Sequence, residues 1–307
     1  MLFGQKLEAA KTVVGLVEKT ASLSLLINIG ELFPLMDWLD LHGIYKIMKK
    51  EILPDIKKVL GEIIEQRNGT RKEGQEARDI LDVLLTLKDD DGVSEASVMA
   101  LLMDMITAGL ESSQNVAEFS IAESLNHPHI IQRAQQELDA VVGRKRLVRE
   151  EDLVKLPYVQ GIVKETLRMH PPGPLGIPHA NPKPVSIAGY TVPANCKVLV
   201  NMWAIGRDPA CWDRAEEFLP ERFINSDYDV AGNHFHFIPF SAGRRICVGY
   251  PLAMRSIPLV VATLLHSFEW KRQDGNSLET AKGLLSIKLA SKINLSGHPR
   301  LDESAYY

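Results

Sequence analysis

The chain reads as a mainly α protein with small β-sheets. Three observations predict this. Seven segments carry apolar residues at the three- and four-residue spacing of helices. The alternating stretches suited to strands are few and short. No repeat, linker or composition break divides the 307 residues, so 1–307 reads as a single domain.

Helices are expected at Lys6–Ser22, Ile44–Arg67, Asp79–Leu87, Ser94–Asn126, His129–Val142, Pro157–Met169 and Cys247–His266. Lys46, Lys49 and Lys50 with Lys57 and Lys58 give the second of these a basic, solvated face. Asn68–Arg78 is polar, charged and glycine-containing, a loop. In Ser94–Asn126 the residues Val98, Leu101, Leu102, Met105, Ile106 and Gly109 recur at helical spacing. His170-Pro171-Pro172 ends the helix before it. Pro174–Ala180 is extended, and Val185–Val192 pairs with Lys197–Val200 as a hairpin. Pro258 is expected to bend the last helix, and Lys282–Leu295 alternates enough for short strands.

Composition narrows the function classes. The chain is 45% hydrophobic, enough for a large core. A net charge of -4 gives no nucleic-acid footprint. Cys196, Cys211 and Cys247 form no C-x-x-C pair, which argues against zinc and fits a reducing compartment. Cys196 and Cys211 read as unpaired packing residues. No apolar run reaches the ~18 residues of a membrane span; Ser256–Phe268 is too short. No signal peptide opens the chain, and no G-x-G-x-x-G follows a strand, so any reducing equivalents come from a partner.

The most informative stretch is Phe240-Ser-Ala-Gly243-Arg-Arg245-Ile-Cys247-Val-Gly249. One cysteine sits in a glycine-bracketed loop with two arginines before it and an apolar helical pattern after it. Loop N–H groups and a helix start can face a thiolate in a protein interior, where an unpartnered charge is costly. Gly243 and Gly249 permit close backbone approach. A single thiolate suits haem iron, whose porphyrin supplies four other ligands.

The pattern F-x-x-G-x-R-x-C-x-G, met by Phe240, Gly243, Arg245, Cys247 and Gly249, resembles the haem-ligand signature of the cytochrome P450 family. Val248 stands where that family often has proline. The resemblance implies a P450 fold, haem b, and Cys247 as the axial iron ligand. Phe240 is then expected beside the sulfur and Arg245 on a haem propionate. Three further stretches match in order. Glu165 and Arg168 supply E-x-x-R, three apart on one helix face. Arg222, in Pro220-Glu221-Arg222-Phe223, matches the third member of the family's buried triad, a structural role. His179 falls where plant members carry a propionate-contacting His or Arg. Asn201-Met-Trp203-Ala-Ile-Gly-Arg207-Asp-Pro209 also resembles a plant P450 segment and looks structural.

Ala108-Gly109-Leu110-Glu111-Ser112-Ser113 resembles the family's oxygen-activating segment, with Ser112 replacing the usual threonine. Gly109 is expected to let the helix open locally. Glu111 and Ser112 are the expected catalytic pair, a carboxylate and a hydroxyl that relay protons. Serine keeps the hydroxyl and drops the methyl that fixes its rotamer, so some leakage of reduced oxygen is expected. Thr107, Leu110, Leu175 and Ile177 match pocket-lining positions.

The resemblance covers nearly all of this chain but only the C-terminal part of a full member. Asn28–Pro34 and Trp38–Gly43 resemble the segment that roofs the substrate pocket. The family's W-x-x-x-R helix and first recognition loop have no match, which leads to the expectation of a truncated gene model, fragment or degraded copy. The implied function is a haem-thiolate monooxygenase of hydrophobic plant metabolites of the phenylpropanoid, flavonoid or terpenoid class. It would use O2 and electrons from an NADPH-dependent cytochrome P450 reductase. The expected setting is a monomer at the cytosolic face of the endoplasmic reticulum; this chain lacks the anchor, so a soluble or peripheral state is the expectation for it. The contrasting class is a non-catalytic fragment with weak or no haem binding. Redox-neutral peroxide rearrangement fits less well, because Ser112 and an uninterrupted cysteine loop argue against it.

Overall fold

The computed structural model describes residues 10–24, 33–71, 76–273, 280–282, 287–289 and 293–306. The chain divides into two compact units, residues 1–110 and 111–307.

The first unit is helical. α1 spans Ala10–Ser24, and a 3-10 turn spans Pro34–Leu39. α2 (Ile44–Ile47), a π turn (Met48–Ile52) and α3 (Leu53–Thr70) follow one another. Pro54 cannot donate a hydrogen bond to the preceding turn, and the backbone widens just before it. α4 covers Ile80–Asp91, capped by Asp79, whose carboxylate accepts the Asp82 N–H. α5 runs from Glu95 to Asn126; residues 95–110 belong to this unit. Val98, Leu102 and Ile106 recur every four residues and are buried with Val17, Ile52, Leu60, Ile64, Leu81 and Leu85. Arg67 crosses this core edge to Asp79 and Asp82 at 2.7 and 2.8 Å. Hydrogen bonds from Arg78 and Arg67 outweigh burial and hold the Asp82 carboxyl well below the usual carboxylate range. Leu35 and Trp38 are 91% and 80% exposed. Residues 28–32, the start of the expected roof segment, lie outside the described residues, as do residues 6–9 of the first expected helix.

The second unit holds α6 (Pro128–Val141), α7 (Pro157–Met169), α8 (Met202–Ile205) and α9 (Tyr250–Ser267). Four two-stranded antiparallel sheets accompany them among the described residues. β1 (His179–Ala180) pairs β4 (Lys197–Val198), and β2 (Val185–Ile187) pairs β3 (Tyr190–Val192). β5 (Phe268–Arg272) pairs β8 (Leu295–Pro299), and β6 (Thr280–Lys282) pairs β7 (Ile287–Leu289). α7 starts on Pro157, whose fixed φ suits a first turn. Its N-terminus has no cap of its own; instead Glu137 on α6 accepts the N–H groups of Tyr158 and Val159. Ile162, Val163 and Leu167 on α7, Ile130, Ala134 and Leu138 on α6, and Val261, Ala262 and Leu265 on α9 share one core.

Four expectations are corrected. The hairpin closes within Val185–Val192, because Ala188 and Gly189 at φ +51° and +84° form a tight two-residue turn. Lys197–Val198 pairs instead with His179–Ala180. The Asn68–Arg78 loop begins later, since α3 continues to Thr70. The last helix begins at Tyr250, not Cys247: Gly249 is its N-cap residue and Pro251 fits its first turn.

Candidate functional site

The cysteine loop is built from backbone. Ser241 and Gly243 are left-handed, at φ +66° and +73°. Gly243–Arg245 makes one 3-10 turn, closed by the Ile246 N–H donating to the Gly243 carbonyl. The Cys247 N–H donates to the Phe240 carbonyl at 3.0 Å, and the Tyr250 N–H donates to the Cys247 carbonyl at 3.3 Å. The residue is thus fixed from both sides just ahead of α9. A Cβ on Gly249 would lie 3.7 Å from Cys247 Sγ, so glycine there leaves that side of the sulfur uncovered.

The thiol is exposed rather than interior, as is Arg245; Val248 is 96% exposed. Phe240 is half-buried, and its ring neighbours Tyr250, centroids 6.2 Å apart. His179 is exposed on β1. Among the described residues neither Arg245 nor His179 has a side-chain partner.

An aromatic cluster shares the main core with Phe240. Trp212 lies 5.3 Å from Tyr228 and 6.0 Å from Phe223, and Phe223 lies 4.9 Å from Phe237. Against it sits the ion cluster. Arg168 Nε and Nη2 donate to the two Glu165 oxygens at 2.7 Å each. Arg168 Nη1 donates to the Gly206 and Ala215 carbonyls, and Nη2 also to that of Glu217. All five guanidinium N–H groups are engaged. Glu165 Oε1 also accepts the Leu219 N–H at 2.8 Å and Arg222 Nε at 3.2 Å. The side chains of Glu165 and Arg168 are fully buried, and Arg222 is 11% exposed. The three residues singled out in sequence therefore meet in one place.

Glu111 and Ser112 are half-buried on α5, in the part that belongs to the second unit. The helix assignment is continuous from Ala108 to Ser113. Thr107 and Leu175 are half-buried, whereas Leu110 and Ile177 are exposed. Cys211, expected to pack, is exposed; Cys196 is half-buried.

Sequence reasoning missed two polar contacts. His170 Nε2 lies 2.6 Å from Glu123 Oε1, and its ring stacks on Phe119 with centroids 4.3 Å apart. Nothing in the spacing signals that pair. Arg207 lies over the Trp203 ring at 4.4 Å, and burial lowers its pKa. The four-residue separation of Trp203 and Arg207 was a usable signal for this contact.

The cytochrome P450 family model matches residues 1–295. The chain is 39% identical to a flavonoid 3',5'-hydroxylase of Campanula medium, over 92% of this chain and 55% of that protein. It is 40% identical to a flavonoid 3'-monooxygenase of Petunia hybrida, over 91% of this chain and 57% of that protein. A geraniol 8-hydroxylase of Catharanthus roseus is 40% identical, over 81% and 50%. A solved zebra fish cytochrome P450 with abiraterone superposes with a TM-score of 0.78 at 28% identity, covering 97% of this chain and 68% of that one. A mostly helical body with small sheets and a cysteine loop heading a long helix is the P450 architecture, and this chain belongs to the cytochrome P450 family. It spans about half the length of the curated relatives it matches.

The residues present fit a haem. At the loop the donor set offers one accessible thiol, Cys247, while Cys211 is exposed elsewhere in the chain, and among the described residues no group of three or more metal-ligating side chains competes with it. Among the described residues Arg245 and His179 have no internal partners, and their N–H groups can donate to carboxylates. No helix among the described residues is long and apolar enough to cross a membrane.

Proposed function

We propose that this chain carries the haem-binding part of a monooxygenase that hydroxylates a hydrophobic plant secondary metabolite of the flavonoid, phenylpropanoid or terpenoid class. The observation that carries the reading is the cysteine loop: an exposed thiol held by backbone bonds to Phe240 and Tyr250, beside an unpartnered Arg245. The printed activities of the Campanula, Petunia and Catharanthus relatives support the substrate class.

In this reading Cys247 would hold the haem iron through its thiolate, and Arg245 and His179 would each donate to a propionate. Thiolate-ligated haem supplies the activation of molecular oxygen. Over the whole reaction one oxygen atom enters a C–H bond and the other leaves as water, consuming two electrons and two protons. NADPH-cytochrome P450 reductase delivers the electrons. Glu111 holds and passes protons through its carboxylate, and the Ser112 hydroxyl stands next to it on the helix. Glu165, Arg168 and Arg222 hold neighbouring loops in place and take no part in the chemistry. Residues 1–307 form part of one P450 domain, whose full-length setting is the endoplasmic reticulum membrane. The share of the relatives' length favours a second reading, in which this stretch by itself binds haem weakly and does not turn over.

The deciding experiment is reconstitution of the 307-residue chain with haem, reduction, and exposure to carbon monoxide. A thiolate-type Soret band that Cys247→Ala abolishes, with the far-ultraviolet circular dichroism unchanged, is expected. A wild-type chain without that band removes the first reading and leaves the second.

A further inference from the structure

The segment Tyr228–Asn233 leads from Tyr228 of the aromatic cluster into a turn. Its backbone is tied down on one side. The Tyr228 carbonyl accepts Lys164 Nζ at 2.8 Å, and Val230 is buried in the main core. Asp229 accepts the Ala231 N–H at 2.8 Å and Asn233 Nδ2 at 2.9 Å, closing a turn around Gly232.

On its other side this turn meets the start of the cysteine loop. Gly232 is left-handed at φ +82°. A Cβ built on it would lie 2.9 Å from Ala242 Cα, 3.0 Å from Ala242 Cβ and 3.2 Å from the Ser241 carbonyl oxygen. Two of these atoms belong to backbone, so no side-chain rotation relieves the overlap. Ser241 itself is a non-glycine residue in the left-handed region, a conformation that persists only where its surroundings fix it. From Ser241 the chain passes through Gly243 to the Cys247 N–H, bonded back to Phe240.

We propose that Gly232 is a positioning residue for Cys247: lacking a side chain, it lets the Asp229–Asn233 turn press against Ser241–Ala242 and fix the loop that presents the thiol. This rests on the reading of Cys247 as the haem ligand, but the bracing itself is testable without haem.

The test compares three variants of the 307-residue chain. Gly232→Ala introduces both the strained φ and the overlap. Gly189→Ala introduces a left-handed alanine where no atom lies within 4 Å of the added carbon, and so controls for strain alone. Asn233→Ala loosens the turn without filling the space. In the haem-free chain, amide hydrogen exchange is read for the peptide containing Cys247 and for α7. Gly232→Ala is expected to speed exchange of the Cys247 amide about tenfold, with α7 unchanged. Asn233→Ala is expected to give an acceleration of about threefold at the same amide, and it decides the question if Gly232→Ala does not fold. In the haem-loaded chain, Gly232→Ala is expected to lose most of the thiolate-type Soret band in the reduced carbon monoxide spectrum, while Gly189→Ala keeps it. Exchange at Cys247 that matches wild type, or that rises equally in α7 and in Gly189→Ala, overturns the proposal. A wild-type chain with no thiolate-type band overturns the haem reading, whereas the exchange result still decides the bracing.

Discussion

Replacing Glu165 by Gln tests the buried ion cluster of Glu165, Arg168 and Arg222. The Glu165 carboxylate accepts four N–H groups: two from Arg168, one from Leu219 and one from Arg222. Glutamine keeps one acceptor oxygen, but its NH2 group then faces an Arg168 donor that now sits 2.7 Å from carboxylate oxygen. The variant loses one charge-assisted hydrogen bond, worth about 1.5–3 kcal/mol. It also strands a guanidinium whose side chain has no solvent exposure. Breaking a buried pair from one side costs about 3–5 kcal/mol in all. The lower half of that range is expected, because Arg168 retains the carbonyls of Gly206, Ala215 and Glu217. Arg222 keeps the Arg214 carbonyl and some water. With a urea slope of about 2–3 kcal/mol/M, the midpoint falls by roughly 1–2 M. Glu150→Gln is the comparison: its pair with Arg255 spans 3.7 Å, with side chains 59% and 72% exposed. That change stays within about 1 kcal/mol. If Glu165→Gln moves the midpoint no further than Glu150→Gln, the cluster does not hold buried charge and the reasoning fails.

Two further outcomes follow from single residues. His266 is buried, its Nε2–H donates to the Gly143 carbonyl at 2.7 Å, and its Nδ1 lacks a partner. Burial lowers its pKa, with Arg300 and Arg146 also disfavouring the charged ring, against the Gly143 carbonyl and Asp139. The unfolded chain therefore binds the proton first, so stability is full above about pH 6.5 and is lost as pH falls toward the lower folded value. Urea midpoints measured between roughly pH 7.5 and 5.5 should fall in wild type and stay flatter in His266→Gln; equal slopes refute it. Ser241→Gly removes a left-handed side chain that costs about 1–2 kcal/mol, against about 0.5–1 kcal/mol of added freedom in the unfolded chain. A melting temperature about 1–2 °C higher is expected, and a lower one contradicts the strain.

What the sequence made legible was local. Glu165 and Arg168 could be paired because helical geometry sets a separation of three on one face. α7 could be bounded because Pro157 suits a first turn and His170-Pro171-Pro172 cannot continue a helix. The cysteine loop could be singled out because glycine, arginine and cysteine sit at fixed intervals. What stayed hidden depends on distant segments. The acceptors that complete Arg168 are carbonyls of residues 206, 215 and 217, and a carbonyl carries no residue-type signal. Glu137 capping α7 and Glu123 reaching His170 are likewise products of packing. The hairpin was misread because Ala188 takes a positive φ that alanine rarely adopts, so the turn inside Val185–Val192 has only Gly189 to announce it.

The division of polar groups in the second unit separates stability from chemistry. Arg168 has every donor engaged within the protein, so its geometry is determined by the fold and a ligand can gain nothing from it. Arg245 and His179 are exposed and have no internal partner among the described residues, so their hydrogen-bonding capacity is open to something the chain does not itself supply. Cys247 lies between these cases: its backbone N–H and carbonyl are both bonded, while its sulfur is accessible. A ligand atom needs that combination, with position set by the fold and reactivity left to the partner. It also explains why a loop without a buried side chain between Gly243 and Arg245 can be well defined in shape. The shape comes from the 3-10 turn, from two left-handed residues, and from the Gly232 turn packed behind them.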